Sequence, residues 1–240
     1  MVVRGSRRAA QRPIHRTLPV TPKILKFILA TKPKNPMCAT EYKLLTIFKA
    51  VALIYFLSML RSSNLLPISR KNIDLVQVLT WGDIARVKHG VVLSIRKTKT
   101  IQHRQRVQTV PLPASPEPSW CPVRTLDALA TIYGHDTCYA NTPVFRIPSK
   151  SGKSWITLEK AQFESFFKKR LVAAGLDPSD YTLHGFRHGS IQTAMLVEDS
   201  MALVAVTSDH SSDAINAYTG IPATNRMRVC AKMVRHLNSV

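Results

Sequence analysis

The chain has 240 residues, of which 34 are Lys or Arg and only 14 are Asp or Glu, a formal net charge of +20. Its 45% apolar content excludes a disordered chain, and its length suits one good core with or without a small appendage. So large an excess of cations repels itself unless a polyanion is near, which points to nucleic acid first and to an anionic membrane second; a ribosomal-type or solubilising surface is the plain alternative.

Residues 1–18 carry Arg4, Arg7, Arg8, Arg12 and Arg16 with no acid and few core formers. This composition predicts a disordered basic arm suited to a phosphate backbone, or equally a nuclear-targeting run. The folded domain is expected over residues 19–240. Thr21-Pro22 predicts the start of a short helix, with Thr21 as cap and Pro22 at the first position. A longer helix is expected from about Thr40 to Leu60. Its apolar run, Ala50 to Leu60, is too short to span a bilayer and reads as a buried helix. Three short strands follow, Leu79–Ile84, Gly90–Ile95 and Arg106–Leu112, and Pro111 and Pro113 suggest that the last lies at an edge.

Pro122 opens a helix that stops at Gly134, and Thr157 is expected to cap another that ends at Gly175. Further helices are expected from His184 to Val197, from Ser200, around Ser211–Thr219 and after Pro222. The predicted fold is mixed α/β, mostly helical, with a small antiparallel sheet. Cys38, Cys121, Cys138 and Cys230 form no Cys-x-x-Cys pair, so reduced thiols in an intracellular protein are expected rather than a structural metal.

Four boxes carry chemistry. In His184-Gly-Phe-Arg187-His188, helical spacing puts His184, Arg187 and His188 on one face. Zinc is a weak reading, because a cation intervenes and no carboxylate or Cys partner is near. A phosphate pocket fits better: Arg offers a planar fork and His can donate or shuttle a proton. Arg61 sits just beyond the most apolar helix, where a cation must face a ligand or pair with an acid such as Asp74 or Asp83. From Arg86 to Arg106 there are seven Lys or Arg and no acid, including Arg96, Lys97, Lys99, Arg104 and Arg106, with His103 among them. A basic ribbon of this kind can enter a DNA groove, although any exposed hairpin can carry charge. Last, His210-Ser-Ser-Asp-Ala-Ile-Asn-Ala-Tyr218 is locally unremarkable, and a Tyr there is as easily a packing residue.

The order Arg, Lys, His-x-x-Arg, His, Tyr along one chain resembles the catalytic domain of tyrosine recombinases, the group of phage integrases and Cre-like and Xer-like enzymes. The likeness spans Leu60 to Tyr218. Leu60-Arg61-Ser-Ser-Asn-Leu-Leu-Pro67, Lys99-Thr-Ile-Gln-His-Arg-Gln-Arg-Val107 and the His210–Tyr218 box resemble the recombinases of eukaryotic DIRS-like and Crypton-like mobile elements. The resemblance implies DNA strand cleavage and rejoining in site-specific recombination or integration. Tyr218 would attack phosphorus and leave a 3′-phosphotyrosine bond and a free 5′-hydroxyl. Arg61 and Arg187 would hold the non-bridging oxygens, His184 would help take the tyrosine proton, Lys99 would protonate the leaving oxygen, and His210 would add a hydrogen bond to the phosphate. Arg96, Lys97, His103, Arg104, Arg106 and His188 are the expected DNA contacts.

The resemblance further implies double-stranded DNA as partner, a homo-tetramer on two DNA sites, no cofactor, no metal, no ATP and no membrane, and nuclear location if the host is eukaryotic. Two details depart from the family: His210 lies one residue closer to Tyr218 than usual, and Asp209 stands where Gly normally precedes that His. Lys97 competes with Lys99 as the acid. The N-terminal core-binding domain of about a hundred residues that the family carries is expected to be absent. The alternatives are a type IB topoisomerase, which shares this chemistry, and a catalytically idle DNA-binding remnant. The segment after Pro222 could pack on its own domain or pass to a neighbour.

Overall fold

The computed structural model describes residues 17–98, 107–208 and 223–239. The Arg4–Arg16 arm, the hairpin tip with Lys99, His103, Arg104 and Arg106, and the segment with His210, Tyr218 and the helix expected around 211–219 all lie outside the described residues.

Helix α1 (Pro22–Ala30) begins as expected, with the Thr21 hydroxyl accepting the Ile24 amide at 3.3 Å. Helix α2 (Ala39–Ser58) is buried on every side from Ala50 to Ser58. A helix apolar all round belongs at the centre of a core. Helices α1, α4 (Pro122–Tyr133) and α6 (His184–Val197) pack around it. After α2 the chain turns through Met59 into the single-turn helix α3 (Ser62–Leu65).

Strands β1 (Ile84–Val87), β2 (Gly90–Ile95) and β3 (Gln108–Pro113) form an antiparallel sheet in that order, with Ile84 opposite Leu93 and Ile95 opposite Gln108. Pro111 and Pro113 are accommodated because β3 is an edge strand. The first strand differs from expectation. Leu79–Ile84 is largely a tight turn at Trp81–Asp83, closed by a reciprocal cap between Thr80 and Asp83, and the strand begins only at Ile84. The expected cap at Thr157 is also corrected. Thr157 ends strand β5 (Trp155–Thr157), which pairs with β4 (Arg146–Pro148), and Glu159 caps helix α5 (Lys160–Ala173).

Helix α6 has the expected bounds, and α7 (Met201–Thr207) follows it closely. Helix α8 (Ala223–Ser239) packs on β3, α6 and α7 through Val229, Cys230, Met233 and Leu237, so the described C-terminal helix sits on its own domain. Buried Glu198 at the end of α6 fastens it, 3.3 Å from Arg228 and 3.1 Å from Lys232. Burial alone would raise the Glu198 carboxyl, but the Lys232 bond, the Ser200 amide and the Arg228 charge outweigh it and hold it below the usual carboxylate range. Cys38, Cys121, Cys138 and Cys230 are all unpaired. No helix among the described residues is long and apolar enough to cross a membrane.

Candidate active site

The site starts from an unusual corner. Met59 ends α2 in the left-handed region (φ 54°, ψ 17°), a conformation that disfavours a side chain, yet it is wholly buried. The turn exposes its carbonyl inward and carries the half-buried Arg61 into an extended position at the start of α3. Arg187 answers this carbonyl. It is 3% exposed, and its Nη1 donates to the Met59 oxygen at 2.6 Å. Its Nη2 donates to the carbonyl of Ser208. One guanidinium therefore binds the Arg61 corner, helix α6 and the end of α7, from which the chain continues toward His210. A planar fork suits this, since its donors reach two acceptors at once.

Helix α6 does not present His184, Arg187 and His188 alike. His184 and His188 are exposed and lie edge to face, with ring centres 4.4 Å apart. Arg187 is turned inward beside them, so the shared face expected from spacing divides into an exposed histidine ridge and a buried arginine. Among the described residues no three His, Cys, Asp or Glu side chains gather as metal ligands.

The N-terminal half of α6 is set in place by the segment leading into α1. The Val20 amide donates to the Gly185 carbonyl at 2.9 Å, and the Leu18 amide to the Asp180 carbonyl at 2.8 Å. This approach depends on glycine. A Cβ on Gly189 would lie 1.8 Å from the Val20 oxygen, and one on Gly185 would lie 2.7 Å from the Leu18 oxygen. From the opposite side, Phe186 packs against Tyr55, Phe163 and Phe167, with ring centres 5.1, 5.8 and 4.9 Å away.

The base of the basic hairpin is tied to the same corner. Asn64 of α3 donates to the Lys97 carbonyl at 2.7 Å and accepts the Leu79 amide on its own carbonyl at 2.8 Å. Arg96 straddles the Asp83 carboxylate, with Nε 2.8 Å from Oδ1 and Nη2 2.9 Å from Oδ2, and also donates to the Leu75 carbonyl at 2.7 Å. Lys97 Nζ lies 2.7 Å from Asp74 Oδ2, and its hydrogen bond holds the Asp74 carboxyl below the usual range. Asp74 and Asp83, the acids that the sequence offers to Arg61, thus engage Lys97 and Arg96. Arg96 acts first as a brace for the hairpin, and Lys97 is held beside Asp74 at its base.

Sequence reasoning missed three participants. Tyr55 is hidden within an apolar run, and the hydroxyl in that run was the one available sign of it. Met59 and Ser208 contribute only carbonyls, which no side-chain pattern discloses.

No family model matches the chain, and no curated protein sequence does. Solved structures do match. The XerH site-specific recombinase bound to its difH substrate in a pre-cleavage complex superposes with a TM-score of 0.56 and 17% identity, over 90% of this chain and 51% of that one. The same recombinase bound to a palindromic difH substrate in a post-cleavage complex matches with a TM-score of 0.56 and 15% identity, over 94% of this chain and 53% of that one. The chain spans about half the length of these recombinase chains. The likeness carries the fold: the described residues adopt the mostly helical architecture, with small antiparallel sheets, of the tyrosine recombinase catalytic domain.

Proposed function

We propose that this chain cleaves and rejoins double-stranded DNA through a 3′-phosphotyrosine intermediate on Tyr218. The observation that carries the reading is the position of Arg187. It joins the Arg61 corner to Ser208, which precedes His210 by two residues in the sequence, so three segments far apart in sequence meet at one buried guanidinium. The recombinase-type fold and the net charge of +20 support it.

In this reading Arg61 and Arg187 hold the non-bridging oxygens of the scissile phosphate and offset the charge of the pentacoordinate transition state. A phenol with a pKa of about 10 is a poor nucleophile at neutral pH, so His184 takes its proton as Tyr218 Oη bonds to phosphorus. The bond from phosphorus to the 5′-oxygen breaks, and Lys99 delivers a proton to the leaving oxygen. His210 donates a further hydrogen bond to the phosphate. Attack by a 5′-hydroxyl reverses these steps and releases Tyr218, so the bond energy is kept and no ATP is needed. The pairing of Lys97 with Asp74 favours Lys99 as the acid. The Leu60–Pro67 and His210–Tyr218 boxes favour a recombinase of the mobile-element branch, acting as a tetramer on two duplexes.

The test uses a duplex nicked beside the cleavage point, so that the 5′-leaving strand diffuses away and the covalent species accumulates. The chain is expected to form an adduct that survives denaturing electrophoresis, and Tyr218→Phe is expected to form none. An adduct that persists in Tyr218→Phe refutes the assignment of the nucleophile. Absence of an adduct at every salt concentration leaves a DNA-binding protein without strand-transfer activity. Relaxation of supercoiled plasmid with no exchange of strands between duplexes identifies a type IB topoisomerase instead.

A further inference from the structure

Helices α2 and α4 and the turn before α4 (Pro118–Trp120) line a cleft of about 240 Å³. Its polar lining is one-sided. Lys49 and Arg124 bring two positive charges, Thr46, Ser119 and Thr125 bring three hydroxyls, and no Asp or Glu is among the lining residues. The Thr46 hydroxyl donates to the Tyr42 carbonyl at 2.9 Å. The side chains of Lys49, Arg124, Ser119 and Thr125 have no hydrogen-bond or ion-pair partner among the described residues. Acids close by in sequence are engaged elsewhere: Asp127 pairs with Arg86, and the Glu117 carboxylate accepts the Ser119 amide at 3.3 Å. Lys49 is half-buried, and burial holds its ammonium below the usual lysine range. A half-buried cation with no counter-charge is a cost to the fold, and an anion in the cleft offsets it.

We propose that this cleft is an anion site that takes the phosphate of a small phosphate ester, held by Lys49 and Arg124, with the Ser119 and Thr125 hydroxyls as further donors. Both cations give charge-assisted hydrogen bonds, and the Arg124 fork suits two phosphate oxygens at once. An adjoining cavity of about 660 Å³ shares Leu29 and Ser119 with the cleft and is lined also by Lys26, Trp120 and Leu237. The organic part of the ester enters that cavity; a duplex offers its phosphates without a free tail to fill it. Lys49 precedes Met59 by ten residues, about 15 Å along α2 at 1.5 Å per residue. The site is therefore separate from the corner that Arg187 fastens, and it does not rest on the strand-transfer reading.

The test follows the backbone amide resonances of Lys49, Ser119, Arg124 and Thr125 on the full chain at constant ionic strength. Inorganic phosphate, phenyl phosphate and a 30-base-pair duplex are the probes. Inorganic phosphate is expected to move all four resonances saturably. Phenyl phosphate should do so at about tenfold lower concentration, because its ring adds apolar burial in the adjoining cavity. Lys49→Gln and Arg124→Gln should each need about tenfold more of either ligand, for the loss of a charge-assisted hydrogen bond. Arg124 is exposed, so Arg124→Gln keeps the test decisive if Lys49→Gln does not fold. Resonances that do not saturate with either ligand overturn the proposal, as do affinities that Arg124→Gln leaves unchanged. Phenyl phosphate no tighter than inorganic phosphate, with equal shifts from the duplex, assigns the cleft to the DNA backbone and overturns the small ester as its ligand.

Discussion

Arg187 and His184 lie three residues apart on one helix and should fail in different ways. Arg187 is buried and supplies donors to two carbonyls. Removing it leaves both acceptors without this partner, and each unsatisfied buried group costs about 1–3 kcal/mol. Arg187→Ala should therefore lose about 2–5 kcal/mol in urea unfolding as well as all adduct formation. Arg187→Lys keeps the charge, but a single ammonium cannot reproduce the fork, so it should recover part of the stability and little of the rate. His184 is exposed. His184→Ala should change stability by no more than about 0.5 kcal/mol and slow adduct formation by about 10²–10⁴-fold. A His184→Ala variant that unfolds as readily as Arg187→Ala would show that the ridge is structural. Met59 belongs to the same argument. A left-handed conformation costs a side-chain-bearing residue about 1–3 kcal/mol, whereas truncating a buried Met costs about 2–5 kcal/mol, so burial outweighs strain and the corner persists.

At the scale of elements, the lead-in segment and α6 behave as one unit because Gly185 and Gly189 leave a flat flank. Gly189→Ala drives a Cβ to 1.8 Å from the backbone oxygen of Val20, and backbone cannot swing aside as a side-chain end can. It should cost more than about 2 kcal/mol by urea unfolding, and Gly185→Ala, at 2.7 Å, should cost less. Equal stability of Gly189→Ala and wild type would mean that the lead-in is not docked there in solution. The helix bounds of α6 were legible in the sequence because its periodicity is local, whereas its glycine flank has meaning only once residues 18–20 lie against it. The same division holds elsewhere. The caps at Thr21 and Pro22 and the stop at Gly134 were readable, as were the edge prolines of β3. The turn at Trp81–Asp83 was not, because the cap between Thr80 and Asp83 that defines it is braced from a distance by Arg96. Strands β4 and β5 are three residues each and sit among Pro, Ser and Gly, so they carry too little pattern to be seen. Of the candidate site, the order of Arg61, His184 and Arg187 was visible, but the inward turn of Arg187 was not, since helical spacing alone cannot say which flank meets the core.

For the whole molecule, the question is which of its 34 basic residues remain available to a polyanion. Several are already engaged with acids: Arg70 with Glu159, Arg86 with Asp127, Arg96 with Asp83, Lys97 with Asp74, and Arg228 and Lys232 with Glu198. These pairs do different jobs. Arg96 faces a carboxylate that is 7% exposed and also holds a backbone carbonyl, so leaving it for a phosphate would strand Asp83 in the interior. Arg104 and Arg106 follow in a stretch of sequence with no acid of its own. Counterion release turns this distinction into a measurement, because each phosphate neutralised on duplex DNA adds about 0.9 to the slope of log K against log salt. With five or more such contacts, affinity for a 30-base-pair duplex should fall by more than about a hundredfold between 50 and 200 mM salt. Arg104→Ala and Arg106→Ala should each weaken binding across all sequences and reduce the slope by about one. Arg96→Gln should leave the slope within error of the wild type and lower the melting temperature instead. A slope reduced by Arg96→Gln and untouched by Arg104→Ala or Arg106→Ala would invert the assignment, placing the DNA at the base of the hairpin, where Arg96 would have to exchange Asp83 for a phosphate.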